Sequence, residues 1–186
     1  MSSVEYDVRL PRVKPSPVSE HDHVSGPSDA PLTLIEYGDF ECPFCVKAYP
    51  VIESLRESFG SKLCFIYRHV PKAAAHGFAK QAAEASEFAA SKGQFWAMHA
   101  QLFAHPDRHD LEHLVEAAQA IGLDPEACRK ALVERTFAER VREIAAASIR
   151  SGIIGTPTLF INGIRYENRI ELPILQGALQ GALGSG

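Results

Sequence analysis

The sequence predicts an α/β fold: a mixed sheet built in the order β-α-β and then β-β-α, interrupted by an all-α insertion. Three observations carry this. Two apolar stretches, 32–40 and 62–70, flank a helical stretch within about forty residues. From about residue 74 to 150 every signal is helical. Strand character then returns in two short runs, followed by a last helix.

Residues 1–31 carry Pro11, Pro15, Pro17, Pro27 and Pro31, which predicts an extended, irregular arm. The stretch "LTLIEYGDF" (32–40) is rich in apolar and aromatic residues and reads as a strand. Cys42 then opens a helix, with Pro43 at its first position, where the missing N–H costs nothing. That helix should run to about Phe59, end at Gly60 and bend at Pro50. "KLCFIYRHV" (62–70) is the second strand. Strand, helix, strand at this spacing is a βαβ unit, which prefers a parallel pairing.

The helical block begins with the alanine-rich "HGFAKQAAEASEFAASKG", stopped by Gly93, and continues with "QFWAMHAQLFAH", stopped before Pro106. "DLEHLVEAAQAIGL" has an acidic first turn. "DPEACRKALVE" starts with Asp124 as cap and Pro125 at the first helical position. "TFAERVREIAAASIRSG" closes the block at Gly152. "TPTLFING" and "IRYEN" then form a hairpin through Asn162-Gly163, a dipeptide suited to a tight two-residue turn. A helix over about 171–183 ends the chain, and no internal repeat is visible.

With 186 residues the chain is long enough to bury a core without staples. A net charge of −4 argues against a nucleic-acid binder. No apolar run approaches the roughly 18 residues of a membrane span. The first residues show no apolar export core, so the expected location is cytoplasmic, or periplasmic or extracellular if a leader was removed.

Four cysteines are present, and only Cys42 and Cys45 are close in sequence. A disulfide between them would close too short a loop to staple the fold usefully. A structural zinc needs four ligands, and there is no second pair; His21 and His23 form only a weak H-x-H in a polar arm. Cys64 and Cys128 read as buried apolar thiols. The remaining use is redox exchange. Cysteines at i and i+3 on a first helical turn share a face, and the first sits at the positive end of the helix dipole. Cys42 is therefore expected to have a depressed pKa and act as nucleophile, with Cys45 more buried and resolving the mixed disulfide.

Taken together, "EYGDFECPFC", "YRHVP", "GQFWAMHAQLF", the helical block and "GTPTLFINGIRY" resemble the DsbA-like thiol-disulfide oxidoreductases over about residues 20–180. The resemblance implies a thioredoxin fold with a helical insertion: an arm over 1–30, a thioredoxin-like domain over 31–72 and 152–186, and an inserted helical subdomain over 73–151. It implies that Cys42 and Cys45 are the catalytic pair and that Pro157 is a cis-proline facing them. Thr156 is then expected to offer its backbone to an extended substrate and its hydroxyl to the Cys42 sulfur. Pro43 and Phe44 complete the substrate-binding set. Glu36, six residues before Cys42, falls where thioredoxin-like proteins place a buried acid. It alternates with Leu32 and Leu34, and burial would raise its pKa toward a value useful for moving the Cys45 proton. The chain departs from strongly oxidising members, which carry Pro-His between the cysteines: the Phe44 side chain has no N–H for the thiolate, which argues against strong oxidising power.

Other features carry less. His105, His109 and His113 are four apart and would share a helix face, but no metal-binding signature accompanies them. Phe95, Trp96 and Phe103 read as core, and 137–146 as an ordinary solvated helix face. His69 reads as a packed, hydrogen-bonded histidine. The expected function is thiol-disulfide exchange with polypeptide substrates. The expected redox centre is the cysteine pair itself, with no cofactor and no metal. The expected partners are polypeptide thiols or disulfides and a redox recycling partner. The alternatives are a non-catalytic peptide-binding or chaperone module, and a glutathione-dependent transferase or isomerase.

Overall fold

The computed structural model describes residues 14, 15, 18, 19 and 22–184. Most of the expected N-terminal arm lies outside these residues. Within it, His23–Ser25 form a strand, β1, where an irregular segment is expected; its carbonyl and amide groups pair antiparallel with the second sequence strand.

β2 (Leu32–Gly38) and β3 (Leu63–His69) are parallel neighbours, joined through helix α1 (Pro43–Phe59). α1 runs through Pro50 without interruption and ends at Gly60, whose φ of 51° is the left-handed region that glycine tolerates. Five helices follow: α2 (Ala79–Ala90), α3 (Phe95–Ala104), α4 (Leu111–Ala120), α5 (Pro125–Val133) and α6 (Ala138–Arg150). Asp110 and Asp124 cap α4 and α5, each side chain accepting from two backbone amides. β4 (Thr158–Ile161) and β5 (Ile164–Tyr166) form an antiparallel hairpin through Asn162 and Gly163, both with positive φ. α7 (Leu172–Leu183) closes the fold.

The sheet order is β1-β3-β2-β4-β5, mixed, with β2 and β3 at its centre. Strands covered on both faces must be apolar nearly throughout, and β2 and β3 are. Leu32, Leu34, Phe65 and Tyr67 face α1, α7 and the helical block in the main core. Ile35, Tyr37, Cys64, Ile66 and Phe160 form a second cluster on the opposite face, where α6 packs against β3. Among the described residues no helix is long and apolar enough to cross a membrane.

The helical block departs from its sequence pattern in two places. His105 follows α3, His109 lies in the connecting loop and His113 is in α4, so the three histidines share no helix face. His109 Nε2 lies 3.0 Å from the Leu102 carbonyl oxygen instead. The stretch 137–146 is also more than a solvated face: Val141 is buried, and Arg140 reaches an interior carboxylate, Glu87. α2 is buried on nearly every side and carries two glutamates, Glu84 and Glu87, inside the protein. Glu84 takes a two-pronged bond from Arg135 at 2.9 and 2.7 Å.

Candidate active site

β2 stops at Gly38, and four residues later Cys42 caps α1 with extended backbone angles. Its amide donates to the Asp39 carbonyl and its carbonyl accepts from Val46, so the turn is closed on both sides. Cys42 is 4% exposed and Cys45 is fully buried; the two are free thiols in this state. Across from them the Thr156–Pro157 peptide bond is cis, and the Cys42 thiol donates to the Thr156 carbonyl oxygen at 3.3 Å. Phe44 between the cysteines is 68% exposed, and Ile154 on the facing loop is 78% exposed.

The thiols differ sharply. The Cys45 side chain hydrogen-bonds Cys42, which, against the opposing effect of burial and together with Thr156 and the backbone amides of Cys45 and Phe44, lowers the Cys42 pKa to about 5. Burial and the bond it gives to Cys42 push the Cys45 thiol far above the ordinary range. Carboxymethylation of reduced Cys42 is expected to titrate with a midpoint at about 5. In Cys45→Ala the midpoint should rise by about one unit or more, since the leading donor is gone. An unchanged midpoint would assign the shift to the helix terminus alone.

Glu36 is 2% exposed, beneath the pair, and burial followed by the charges of Cys42 and Glu53 raises its pKa to about 8. The sign of its effect on stability follows. A raised carboxyl contributes stability that is complete below about pH 4.5 and is lost as pH rises through about 8. Cys42, lowered from 9.0 to about 5, contributes stability present above pH 9 and lost as pH falls through 5. The two oppose each other across the neutral range.

Several supporting residues escape the sequence reading. The buried carboxylate of Asp39 accepts the Glu41 and Lys72 amides at 2.9 and 2.7 Å, and His76 Nδ1 lies 2.7 Å from it. Glu41 accepts the Phe78 amide at 2.7 Å, and Lys72 Nζ donates to the Ile154 carbonyl. The segment after β3 therefore straps the cysteine loop to the loop before Pro157. Acidic residues flanking "DFEC" are the only sequence signal for it; their partners lie over thirty positions away.

A second polar centre lies deeper. His23 Nε2 and His69 Nε2 lie 2.6 and 3.2 Å from Glu87 Oε1, and Arg140 donates to Glu87 Oε2. These two imidazoles and the carboxylate bring one ligand atom each within 4.8 Å of one another. Two ligands on tetrahedral zinc would stand roughly 3.3 Å apart. The closest pair here is at hydrogen-bond distance, and the second carboxylate oxygen is taken by a cation. The donor set is a hydrogen-bonded ion network and does not fit a metal in this arrangement. Cys64 and Cys128 lie elsewhere, both buried, with pKa values raised by burial. A groove of about 980 Å³ beside Tyr37, Arg68 and Ser148 is lined by no cysteine and stands apart from this chemistry.

The family model described as Thioredoxin matches residues 18–180. Among curated proteins the chain is similar to a Na(+)/H(+) antiporter NhaA 3 of Salinispora tropica, 39% identical over 166 residues, covering 89% of this chain and 25% of that protein. It is also similar to a Na(+)/H(+) antiporter NhaA of Herminiimonas arsenicoxydans, 38% identical, covering 92% of this chain and 28% of that protein. The chain thus spans about a quarter of the length of these relatives. Among solved structures, oxidised BdbD from Bacillus subtilis superposes with a TM-score of 0.82 at 24% identity, covering 93% of this chain and 98% of that one. The alpha-DsbA1 of Wolbachia pipientis gives 0.79 at 20% identity, covering 91% and 94%. At these identities the likeness concerns the fold.

Proposed function

The chain belongs to the thioredoxin family, and from that premise we propose that it is a thiol-disulfide oxidoreductase acting on polypeptides through Cys42 and Cys45. The observation that carries the reading is the asymmetry of the pair: a thiolate-prone Cys42 facing the cis Thr156–Pro157 bond and a fully buried Cys45 hydrogen-bonded to it. A thiolate is the species that attacks a disulfide, and a protected second thiol is what releases the product.

In the oxidising direction, a substrate thiolate attacks Cys42 Sγ, the Cys42–Cys45 bond breaks, and Cys45 leaves as a thiolate that takes a proton. A second substrate thiolate then attacks the substrate sulfur of the mixed disulfide and Cys42 leaves. The reducing direction runs these steps backward. The dithiol is itself the redox centre on this reading, and no bound cofactor enters. Exposed Phe44, Phe78 and Ile154 supply apolar surface near Cys42, suited to an extended polypeptide with apolar side chains. The Thr156 carbonyl now held by the Cys42 thiol is free to pair with such a chain once that thiol has ionised. The antiporter names belong to polypeptides about four times as long; what this chain shares with them is the thioredoxin segment.

Reduction of insulin by dithiothreitol, followed by turbidity, tests the activity, and a glutathione titration read by thiol alkylation and mass gives the direction. A potential near about −120 mV would make the protein a disulfide donor, and one near about −270 mV a reductase. Peptide binding without exchange would favour a binding module. Strict dependence on glutathione as co-substrate would favour a transferase or isomerase.

A further inference from the structure

We propose that Tyr67 is a positioning residue for the resolving step, its hydroxyl acting on the Glu36 carboxyl so that the two hold and release the Cys45 proton as one unit. The proposal rests on the exchange reading above. Its geometry is set by the sheet. Glu36 and Tyr67 are directly paired across β2 and β3, so both side chains rise on the face that carries α1. The Tyr67 ring then runs along the strand toward the cysteine loop, over Gly38. A methyl group built on Gly38 would sit 2.5 Å from the ring and 2.8 Å from the hydroxyl oxygen. Glycine at this position is what lets the hydroxyl lie there.

Two buried polar atoms on this face have no hydrogen-bond partner among the described residues: Glu36 Oε1 and the Tyr67 hydroxyl, which do not bond each other in this state. A buried polar group left unpaired is costly, so two of them on one face beneath a reactive pair call for a use. The ionisable groups around them are few. Cys42, Cys45 and Glu53 come from α1, Asp39 from the loop after β2, and His69 and His99 pack edge-on to the Tyr67 ring at 5.4 and 4.7 Å. β4 contributes only Leu159 opposite Glu36. Arg56 is the cation tied to this set, donating to Glu53 from α1, and burial, followed by the charge of Arg56, lowers the pKa of His99 well below its usual value. Tyr67, whose own pKa burial raises well above its usual value, remains a proton donor throughout.

When a mixed disulfide links Cys42 to substrate, the Cys45 thiol gives its proton to the Glu36 carboxylate. The Cys45 thiolate attacks Cys42 Sγ, the Cys42–Cys45 bond forms, and the substrate sulfur leaves as a thiolate. The cysteine pair is oxidised and the substrate sulfur reduced. On this proposal the Tyr67 hydroxyl, unpartnered while Glu36 is protonated, turns to donate to the carboxylate that must exist before this transfer, and so keeps Glu36 ionisable at working pH.

The test is Tyr67→Phe, which keeps the ring and removes only the hydroxyl. The first readout is the titration of the Glu36 carboxyl by carbon NMR in the reduced protein, with Glu36→Gln for assignment. The second is the pH profile of mixed-disulfide resolution, and a thermal melt checks the fold. The Glu36 midpoint is expected to rise by about one unit, lowering its ionised fraction at pH 7 about tenfold, and the profile to move with it. A midpoint that stays in place in Tyr67→Phe overturns the proposal, and so does one that moves while the resolution profile does not. If the wild type exchanges no disulfide at any pH, the exchange reading fails, and an unmoved or moved midpoint still decides whether Tyr67 acts on Glu36.

Discussion

Cys42→Ser is expected to bring insulin reduction down to the uncatalysed background, while Cys45→Ser should capture substrate as a stable mixed disulfide. The difference follows from what each sulfur does. A serine in place of Cys42 cannot form the mixed disulfide at all, so the loss is one of chemistry and not of degree. A serine in place of Cys45 leaves the nucleophile intact and removes only the group that releases the product. With a pKa of about 5, Cys42 is ionised by roughly a hundred to one at pH 7. Capture by Cys45→Ser should therefore be nearly independent of pH above about 6 and should fail as pH falls through 5. The hydroxyl that Cys45→Ser introduces can still donate to Sγ of Cys42, so the thiolate should survive the substitution. Non-reducing gels and intact mass of the trapped species read the result. Capture by Cys42→Ser, with none by Cys45→Ser, would reverse the assignment of nucleophile and resolver. Full activity in both would remove the pair from the reaction.

The parts of this site that depend on neighbours in sequence are legible in the sequence. The i, i+3 cysteines, Pro43 at the first helical position and Asn162-Gly163 between two strands each state a local geometry in a few residues. Glu36 is legible by alternation, because a strand fixes which face every second residue meets. What is not legible is pairing over distance. His23 and Glu87 lie 64 positions apart, in an apparently polar arm and an alanine-rich helix, and neither stretch names the other. Once α2 is buried on nearly every side its glutamates must find cations; Arg140 comes from the stretch that reads as a solvated face, and Arg135 lies just before it. The same holds for Asp39, whose partners Lys72 and His76 sit in a segment with no pattern of its own. The orphaned hydroxyl of Tyr67 is invisible in sequence for a further reason: a tyrosine in a buried strand looks like any aromatic until Gly38 is seen beneath it.

Outside the cysteines, Glu87→Ala is expected to cost about 3–5 kcal/mol of stability. The side chain is 1% exposed and is the common acceptor of His23, His69 and Arg140. A carboxylate only accepts, so both imidazoles must present N–H at Nε2, and the substitution strands both in the interior. Arg140 is partly exposed and can turn to water, which keeps the loss from being larger. Burial by itself would raise the Glu87 pKa, but hydrogen bonds from His23 and His69, with their charges, outweigh it and hold the carboxyl well below the carboxylate range. A depressed carboxyl contributes stability that is complete above about pH 4.5 and is lost as pH falls further. His23 adds to the same trend: burial lowers its pKa below 6.5, and protonation of the unfolded chain competes as pH falls below that value. The gap between wild type and Glu87→Ala, measured by urea unfolding, should therefore be full at pH 7 and should close toward pH 3. Glu87→Gln, which keeps the volume and one acceptor, should lose roughly half as much at pH 7. A variant within about 1 kcal/mol of wild type at pH 7 would mean that the network is solvated more fully than its burial implies. The consequence reaches the cysteines through the sheet. His69 ends β3, packs on Phe40 of the cysteine loop, and is followed by Val70, whose amide donates to the Gly38 carbonyl at 2.8 Å. Loosening Glu87 should therefore also loosen the loop that presents Cys42, and alkylation of Cys45 in the folded Glu87→Ala protein should become faster than in wild type.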